Sequence, residues 1–186
     1  MSSYPCILAD PPWPFADQGS RLAPAHNGTH YDVLTLDRIV ELGAFVRPLA
    51  AADAFLWLWV PNSLVLDGVA RRVCRAWGFS CKQLIPWVKT DAAGKPRLGG
   101  GHYTRVCTEQ LVLARRGKAK VLRRDVPGVI HAPRTKHSAK PDASYELIMK
   151  LCSGPRIELF ARRQFSDDWD TWGAEAPTTQ PEEKTA

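Results

Sequence analysis

The chain has 186 residues, 45% of them hydrophobic, and its formal net charge of +6 at pH 7 is compatible with a polyanionic partner without requiring one. This length predicts one domain with a substantial core, and the absence of a long apolar run argues against a membrane-spanning helix. Five scattered cysteines without a Cys-x-x-Cys pair argue against a disulfide framework or a zinc knuckle, and, with no signal peptide expected, they favour a reducing, cytoplasmic setting.

The first predicted element is a buried strand that ends at an acid, two prolines and a tryptophan. Cys6–Ala9 is short and apolar, and Asp10, Pro11, Pro12 and Trp13 follow it. Asp10 is therefore expected at the carboxyl end of a strand, where open α/β sheets bind ligands. The prolines lack N–H groups, and their carbonyls are expected to be free acceptors. A carboxylate, carbonyl acceptors and an aromatic plane suit a planar amino-bearing group such as the exocyclic amine of a base; an ordinary turn is the alternative.

A polar segment over residues 14–34 follows and shows little periodicity. Connections of this length are usually functional or disordered. The segment contains Tyr31, which taken by itself would more often be a packing residue. It also contains His26 and His30, which could share a metal ion if they lay on a helix. The Asn-Gly turn dipeptide between these histidines favours a loop, so no metal site is predicted.

Helices and strands alternate through the rest of the chain. The predicted elements are a helix over 36–46 capped by Thr35, a strand over 54–60 buried on both faces, a helix over 62–77 ended by Gly78, a strand over 81–89 that Pro86 marks as an edge or a bulge, strands over 109–114 and 129–131, a helix over 141–151, a strand over 156–161 and a small closing element over 169–173. This alternation predicts a three-layer α/β fold with a mostly parallel sheet and helices on both faces. We expect a single domain over residues 1–173 and a disordered tail over 174–186.

Two stretches are rich in basic residues. The loop over 91–105 carries Lys95, Arg97 and three consecutive glycines, but no helix with Lys-Ser/Thr follows, so a nucleotide P-loop is not expected. A loop that faces nucleic acid fits this composition better. Residues 115–124 then carry six cations. A solvated face and a surface that holds a phosphate backbone are both open for this run.

The motif Asp10-Pro11-Pro12-Trp13 resembles the signature of the β-class N6-adenine methyltransferases, which use S-adenosylmethionine and include the catalytic subunit of the eukaryotic messenger-RNA adenine methyltransferase. The resemblance continues in the family's order over about residues 4–173, nearly the whole chain. The further matching blocks are Phe55-Leu56-Trp57-Leu58-Trp59-Val60, Trp87-Val88-Lys89-Thr90, Gly101-His102-Tyr103-Thr104-Arg105 with Glu109, His137-Ser138-Ala139-Lys140-Pro141 and Glu158-Leu159-Phe160-Ala161-Arg162. The resemblance implies a Rossmann-like methyltransferase fold in which the catalytic strand comes first and the cofactor-binding strand last.

The resemblance also implies roles for individual residues. Asp10 and the Pro11 carbonyl would hold the two N–H bonds of the adenine amine, with Pro12 completing the catalytic motif and Trp13 stacking on the base. The cofactor S-adenosylmethionine would be bound by Asp10, Ser138, Lys140 and Arg162. The nucleic acid would be bound by Trp13, Lys89 and Arg105, which lie in the matching blocks, and by Arg97, which the composition of its loop suggests. Tyr31 matches a family aromatic beside the target-base pocket, and core packing stays the alternative for it. Glu158 and Phe160 are taken as core and sheet residues.

One departure from the family lies after Trp172-Gly173, where an asparagine that binds the cofactor is usual and this chain has Ala174. Glu175 could hold the cofactor's ribose hydroxyls instead. The expected function is N6-adenine methylation of DNA by a prokaryotic or phage enzyme, with RNA as the nearest variant. Two alternatives stay open: a catalytically silent member that binds nucleic acid or dimerises, and a small-molecule methyltransferase. A homodimer or a partner subunit is also open.

Overall fold

Two apolar runs form adjacent parallel strands at the centre of a seven-stranded sheet. The computed structural model describes residues 3–14, 34–101, 103–134 and 139–173. Residues 6–9 and 54–60 are buried throughout, as continuous apolar composition predicts for strands that are covered on both faces. The predicted buried strand before Asp10 and the predicted central strand before Pro61 are both confirmed.

Seven strands and five helices alternate within the described residues. They are β1 (Tyr4–Ala9), α1 (Leu36–Glu41), α2 (Gly43–Leu49), β2 (Ala50–Val60), α3 (Asn62–Leu66), α4 (Val69–Ala76), β3 (Ser80–Thr90), β4 (Thr108–Arg116), β5 (Ile130–Pro133), α5 (Asp142–Leu151), β6 (Arg156–Leu159) and β7 (Trp169–Trp172). The strand order is β5-β3-β4-β2-β1-β6-β7. Only β4 among these strands runs in reverse, pairing antiparallel with β2 and β3. The predicted α/β architecture with a mostly parallel sheet is confirmed.

Side chains alternate between the two faces of the sheet and form two cores. Ile7 and Leu56 belong to the core on one face, which helices α1, α2 and α4 cover. Leu8 and Trp57 belong to the core on the other face, which helix α5 covers. We call these the α4 face and the α5 face. Trp57 and Trp59 are fully buried on the α5 face, so their assignment to the core is confirmed.

Two helices predicted as continuous are each divided in two. Residues 36–46 form α1 and the start of α2, and a Cβ atom at Gly43 would lie 2.4 Å from the carbonyl oxygen of Ala76, so only glycine allows this approach to α4. Residues 62–77 are divided at Gly68, whose φ of 72° lies in the left-handed region that glycine adopts without strain. The predicted cap is confirmed, since Thr35 Oγ1 accepts from the backbone N–H of Arg38 at 3.3 Å.

Strand β3 is not an edge strand, because it lies between β5 and β4. The prediction from Pro86 was wrong on this point, and the bulge in β3 lies between Cys81 and Gln83. However, β5 pairs with β3 only over residues 87–90. In the described part of the chain, Pro86 therefore has a strand partner on one side alone, where a missing N–H interrupts less of the sheet.

The strand directions bring distant parts of the chain to the same end of the sheet. β1, β2, β3 and β6 run in one direction, so their carboxyl ends lie together with the first residue of the reversed strand β4. We call this end the carboxyl rim and the opposite end the amino rim. Asp10 and Glu109 are both at the carboxyl rim, and β1, which Asp10 follows, pairs with β6.

Candidate active site

Asp10 follows β1 at the carboxyl rim. Its backbone N–H donates to the carbonyl of Leu159 at 3.4 Å, so contact with β6 extends to this residue. Successive side chains of a strand point to opposite faces, and Asp10 lies on the same face as Leu8, towards α5. There its Oδ2 atom is 3.0 Å from Nζ of Lys140, which lies just before α5. This ion pair connects the first strand to the entrance of the last helix.

Four charged side chains of alternating sign form a continuous row at the carboxyl rim. From Asp10 the row passes to Lys140, whose Nζ is also 3.1 Å from Oε2 of Glu109. Glu109 Oε1 is in turn 2.6 Å from Nζ of Lys89, at the end of β3. We call these residues the charge row. Because two carboxylates alternate with two ammonium groups, each inner member of the row has an opposite charge on both sides.

The pKa values of the charge row reflect burial and this alternation. Burial raises the pKa of Asp10, and the ammonium group of Lys140 opposes that rise. Burial also acts to raise the pKa of Glu109, but Lys140 and Lys89 together outweigh it and lower the value. Lys140 has a raised pKa because Asp10 and Glu109 outweigh its desolvation. Lys140 is therefore held as a cation, although its side chain is only 13% exposed.

Two tryptophans form the floor under the lysines of the row. Lys140 Nζ lies 5.3 Å from the ring centroid of Trp59, and Lys89 Nζ lies 5.3 Å from that of Trp87. The two rings meet edge to face, with centroids 6.0 Å apart. Cations at this distance are attracted by the ring face. The tryptophans therefore fix both ammonium groups in place and exclude water beneath them.

A second carboxyl group lies buried next to Asp10. Glu158 on β6 is 5% exposed, and the hydroxyl of Tyr145 donates to its two carboxylate oxygens at 3.0 and 3.1 Å. Burial raises the pKa of Glu158 from 4.5 to about 7, the Tyr145 hydrogen bond opposes this, and the charge of Asp10 adds to the rise. The pKa of Tyr145 is raised by burial and by Glu158. The site therefore contains a carboxyl group that titrates near neutral pH.

Glu158 makes the stability of the protein depend on pH. Its pKa is higher in the folded state than in the unfolded chain, so between pH 4.5 and about 7 the folded state binds more protons and stability falls as pH rises. Over this pH range the shift of the Glu158 pKa should lower the free energy of unfolding by about 3 kcal/mol. We expect Glu158→Gln to remove this part of the slope. Urea unfolding across this pH range measures the slope for the wild type and for Glu158→Gln. Glu146→Gln, at an exposed position, is the matched control. An identical slope in wild type and Glu158→Gln would contradict the assignment.

The two proline carbonyls are not free acceptors. The Pro11 carbonyl accepts from the backbone N–H of Trp13 at 2.8 Å, and the Pro12 carbonyl accepts from that of Leu34 at 3.1 Å. The prediction was wrong because donors from the following chain fold back onto both groups. Each carbonyl oxygen has two lone pairs, so each can still accept one more hydrogen bond. Pro11 is buried, and Pro12 is half-buried.

Trp13 is part of the core on the α4 face. Its side chain is 4% exposed, and its indole N–H donates to the carbonyl of Trp59 at 2.8 Å. Asp10 and the charge row lie on the other face of the sheet. In this structure Trp13 therefore fixes the turn that carries Asp10, and almost none of its ring surface is open for a base. Its stacking role stays a prediction.

The other predicted site residues fall into two groups. Lys89 belongs to the charge row, and Arg97 and Arg105 are exposed on the connection between β3 and β4, at the carboxyl rim. Arg162 is exposed just after β6, and its charge adds to that of Lys140 in opposing the rise of the Asp10 pKa that burial causes. Before it, Phe160 has a φ of 63°, which is uncommon for a residue other than glycine and marks a sharp turn at this rim. Tyr31, Ser138, Glu175, His26 and His30 lie outside the described residues.

The run of six cations over residues 115–124 lies away from this site. β4 runs in reverse, so Arg116 at its end is at the amino rim, where its guanidinium donates to the carbonyls of Arg47 and Ala50 at 2.8 and 3.4 Å. Arg123 pairs with Asp125 at 2.7 Å. A phosphate backbone held by this run would not lie at the carboxyl rim. Both interpretations of the run, a solvated face and a surface for a phosphate backbone, stay predictions, and neither makes it part of this site.

Glu109, Glu158 and Tyr145 are site residues for which sequence reasoning predicted no chemical role. Glu109 had two usable signals: it is part of a block that resembles the family, and it comes soon after a long loop whose other end is near Lys89. Residues that flank such a loop on paired strands face each other. For Glu158 and Tyr145 no local signal exists, since a glutamate within an apolar strand and a tyrosine on a helix are both common in cores.

Neither a metal cluster nor a membrane helix is found in the described ranges. No group of three or more His, Cys, Asp or Glu side chains there has an arrangement that could hold a metal ion. Likewise, none of the helices in those ranges is long and apolar enough to cross a bilayer.

Comparison with known proteins gives a consistent result. The MT-A70 family model matches residues 4–175. The chain is 28% identical over 197 aligned residues to the type II methyltransferase M.MunI of Mycoplasma sp., covering 96% of this chain and 80% of that protein. It is 27% identical over 165 residues to an MT-A70-like N(6)-adenosine-methyltransferase of Medicago truncatula, covering 87% of this chain and 24% of that protein. The chain thus spans about a quarter of the plant protein and most of the mycoplasma one.

Proposed function

The chain belongs to the MT-A70 family, and from this membership and the charge row we propose that it transfers a methyl group from S-adenosylmethionine to the N6 amine of adenine in DNA. The observation that carries the proposal is the Asp10 carboxylate, presented at the carboxyl rim and held opposite the Lys140 ammonium group at 3.0 Å. Methyltransferase activity and a nucleic-acid substrate follow from the family and the named relatives. That the nucleic acid is DNA is the further part of the proposal.

Asp10 would act on the amine as a hydrogen-bond acceptor. The lone pair of an adenine amine is delocalised into the ring, so the amine is a poor nucleophile. An acceptor for each N–H bond, the Asp10 carboxylate for one and the second lone pair of the Pro11 carbonyl for the other, would localise that lone pair towards the methyl donor. These hydrogen bonds strengthen as positive charge develops on nitrogen. They therefore stabilise the transition state more than the ground state.

The charge row would keep Asp10 in its ionised form. Burial alone favours a neutral carboxyl group, and Lys140 opposes this. Glu109 holds Lys140 from the other side, so the ammonium group is attached to a fixed point of β4. Much of the catalysis of an in-line displacement comes from positioning. A row whose members are each paired supplies that positioning before the substrate binds.

The residues at the rim fit the cofactor. S-adenosylmethionine supplies an activated methyl group on a cationic sulfur and carries one carboxylate. Lys140 has three N–H donors, of which two face Asp10 and Glu109, so one is left for such a carboxylate. Trp59, beneath Lys140, has a buried indole N–H without a partner in the described residues. The carboxylates of Asp10 and Glu158 would favour a cation between them.

One observation favours DNA over RNA. The chain covers 80% of the relative that is named a type II methyltransferase but only 24% of the plant N(6)-adenosine-methyltransferase. In a duplex the target base must leave the helix at a cost of a few kcal/mol, so unpaired or single-stranded adenine should react more readily.

The proposed function is tested with tritiated S-adenosylmethionine and three substrates: unmethylated duplex DNA, the same DNA as single strands, and RNA of the same sequence. Product nucleosides are resolved by mass. N6-methyldeoxyadenosine as the main product is the expected result. Label in RNA alone would identify RNA as the substrate and leave the proposed mechanism unchanged. No label in any nucleic acid, with folded protein that binds nucleic acid, would favour the catalytically silent alternative.

A further inference from the structure

The connection between β3 and β4 is an ordered arm that projects from the carboxyl rim. Its residues 91–107 are all described except residue 102. It begins next to Lys89 and ends next to Glu109, so its base is the outer half of the charge row. Backbone hydrogen bonds hold its two halves together, namely Lys89 N–H to Cys107 O at 2.8 Å, Arg97 N–H to Lys89 O at 2.7 Å, Gly99 N–H to Val106 O at 3.0 Å and Val106 N–H to Gly100 O at 3.1 Å.

The arm exposes apolar side chains that have no place in either core. The Tyr103 side chain is fully exposed, and Leu98 is 69% exposed. Three cations accompany them, Lys95, Arg97 and Arg105, and no ion-pair partner is found for these in the described residues. An exposed aromatic ring among cations that form no ion pair with the described residues, on a hydrogen-bonded backbone, is the composition of a surface that binds single-stranded nucleic acid.

Charge decides between nucleic acid and a second copy of the chain as the occupant. The protein carries a net charge of +6, so two copies that met through this arm would bring unpaired cations together. A polyanion would instead pair with Lys95, Arg97 and Arg105 and release its own counterions. The base of the arm is also next to Asp10 through Lys140 and Glu109. A strand whose adenine reached Asp10 would pass over the arm.

On the basis of the proposed function, we propose that Tyr103 stacks on a base beside the target adenine and holds the strand in an unstacked conformation. A ring stacks on any base, because every base has a π-face. The contact therefore contributes affinity without sequence preference, and the cations of the arm hold the phosphates on either side. Tyr103 is a positioning residue in this scheme, since it touches the strand and not the reacting amine.

The test is a fluorescence titration with single-stranded thymidine oligonucleotides that contain one adenine followed by 2-aminopurine, whose emission falls when an aromatic ring stacks on it. Tyr103→Ala should weaken binding about 5- to 150-fold and abolish the quenching, as expected for the loss of base–aromatic stacking. Tyr103→Phe should bind as wild type does. Tyr103→Leu should behave like Tyr103→Ala, which separates stacking from simple apolar contact. The exposed Leu122→Ala, near the amino rim, is the matched control.

The salt dependence of binding distinguishes the contribution of the Tyr103 ring from that of the cations. Arg105→Gln should lower the slope of log affinity against log salt by about 1, whereas Tyr103→Ala should leave that slope unchanged. Wild-type affinity and quenching in Tyr103→Ala would overturn the proposal, as would a change of oligomeric state in that variant on a sizing column. Methyl transfer is measured separately. Quenching without methylation would refute the proposed function alone, and methylation with normal binding by Tyr103→Ala would refute this inference alone.

Discussion

Replacing Asp10 by asparagine should lower kcat for adenine methylation about 10²- to 10³-fold, the range seen when one preorganised hydrogen-bond group is removed from a transition state. The side chain keeps its size but loses its charge, and one of its two oxygens becomes an NH₂ donor. That donor would face either the Lys140 ammonium group, now 3.0 Å from Oδ2, or the substrate amine. With the NH₂ group towards the amine, the amine loses its acceptor. With the NH₂ group towards Lys140, the amine keeps only an uncharged amide oxygen, and two donors face each other at the lysine.

The measurement is single-turnover methyl transfer with tritiated S-adenosylmethionine, in which binding and chemistry are separated. The dissociation constant for nucleic acid should change little, since the arm and its cations are intact. Asp168→Asn is the matched control, because Asp168 is exposed and precedes β7 at the amino rim. Asp10→Asn with more than a tenth of wild-type kcat, in folded protein, would show that the carboxylate is not the acceptor.

Local pattern predicted the position of Asp10 because the physical cause is itself local. A short apolar run has to be buried, and an acid with two prolines has to end it, so Asp10 could only lie at a strand end. The same holds for Trp57 and Trp59, which a continuous apolar strand places in a core. The environment of these residues could be predicted because it depends only on the neighbouring residues in the sequence.

Pairing between distant segments could not be predicted in this way. Pattern alone does not give the direction of β4, and its reversal places Glu109 at the carboxyl rim and the cation run at the amino rim. Gly68 divides a helix that was predicted as continuous, because its φ is positive. The pattern of apolar residues along the helix does not reveal that conformation. The contact of Lys140 with both Asp10 and Glu109 depends on three segments at once. Only the assembled fold supplies these facts.

Removing the lysine at the centre of the charge row should damage both folding and catalysis. Lys140→Met leaves Asp10 and Glu109 without the cation that lies between them, and breaking one partner of a buried ion pair costs about 3–5 kcal/mol. It also removes the group that opposes the rise of the Asp10 pKa. That pKa should rise further, so the ionised form needed for catalysis would appear only at higher pH. The acid limb of the pH–kcat profile should therefore move to higher pH, with partial recovery of rate in alkaline solution.

A double-mutant cycle with Glu109→Gln isolates the interaction within the row. Glu109→Gln removes one negative charge beside Asp10, so Lys140→Met combined with Glu109→Gln should be less destabilised than the sum of the single variants, as expected for residues that share a charge network. Urea unfolding measures the free energies, and Lys150→Met, at an exposed position of α5, is the control for loss of a lysine. Purely additive free energies together with an unshifted pH profile would mean that Lys140 does not set the charge of Asp10. A shifted profile that Glu109→Gln partly restores would show that Lys140 sets the charge of Asp10, because removing a negative charge beside Asp10 lowers the Asp10 pKa, whereas a general loss of stability does not.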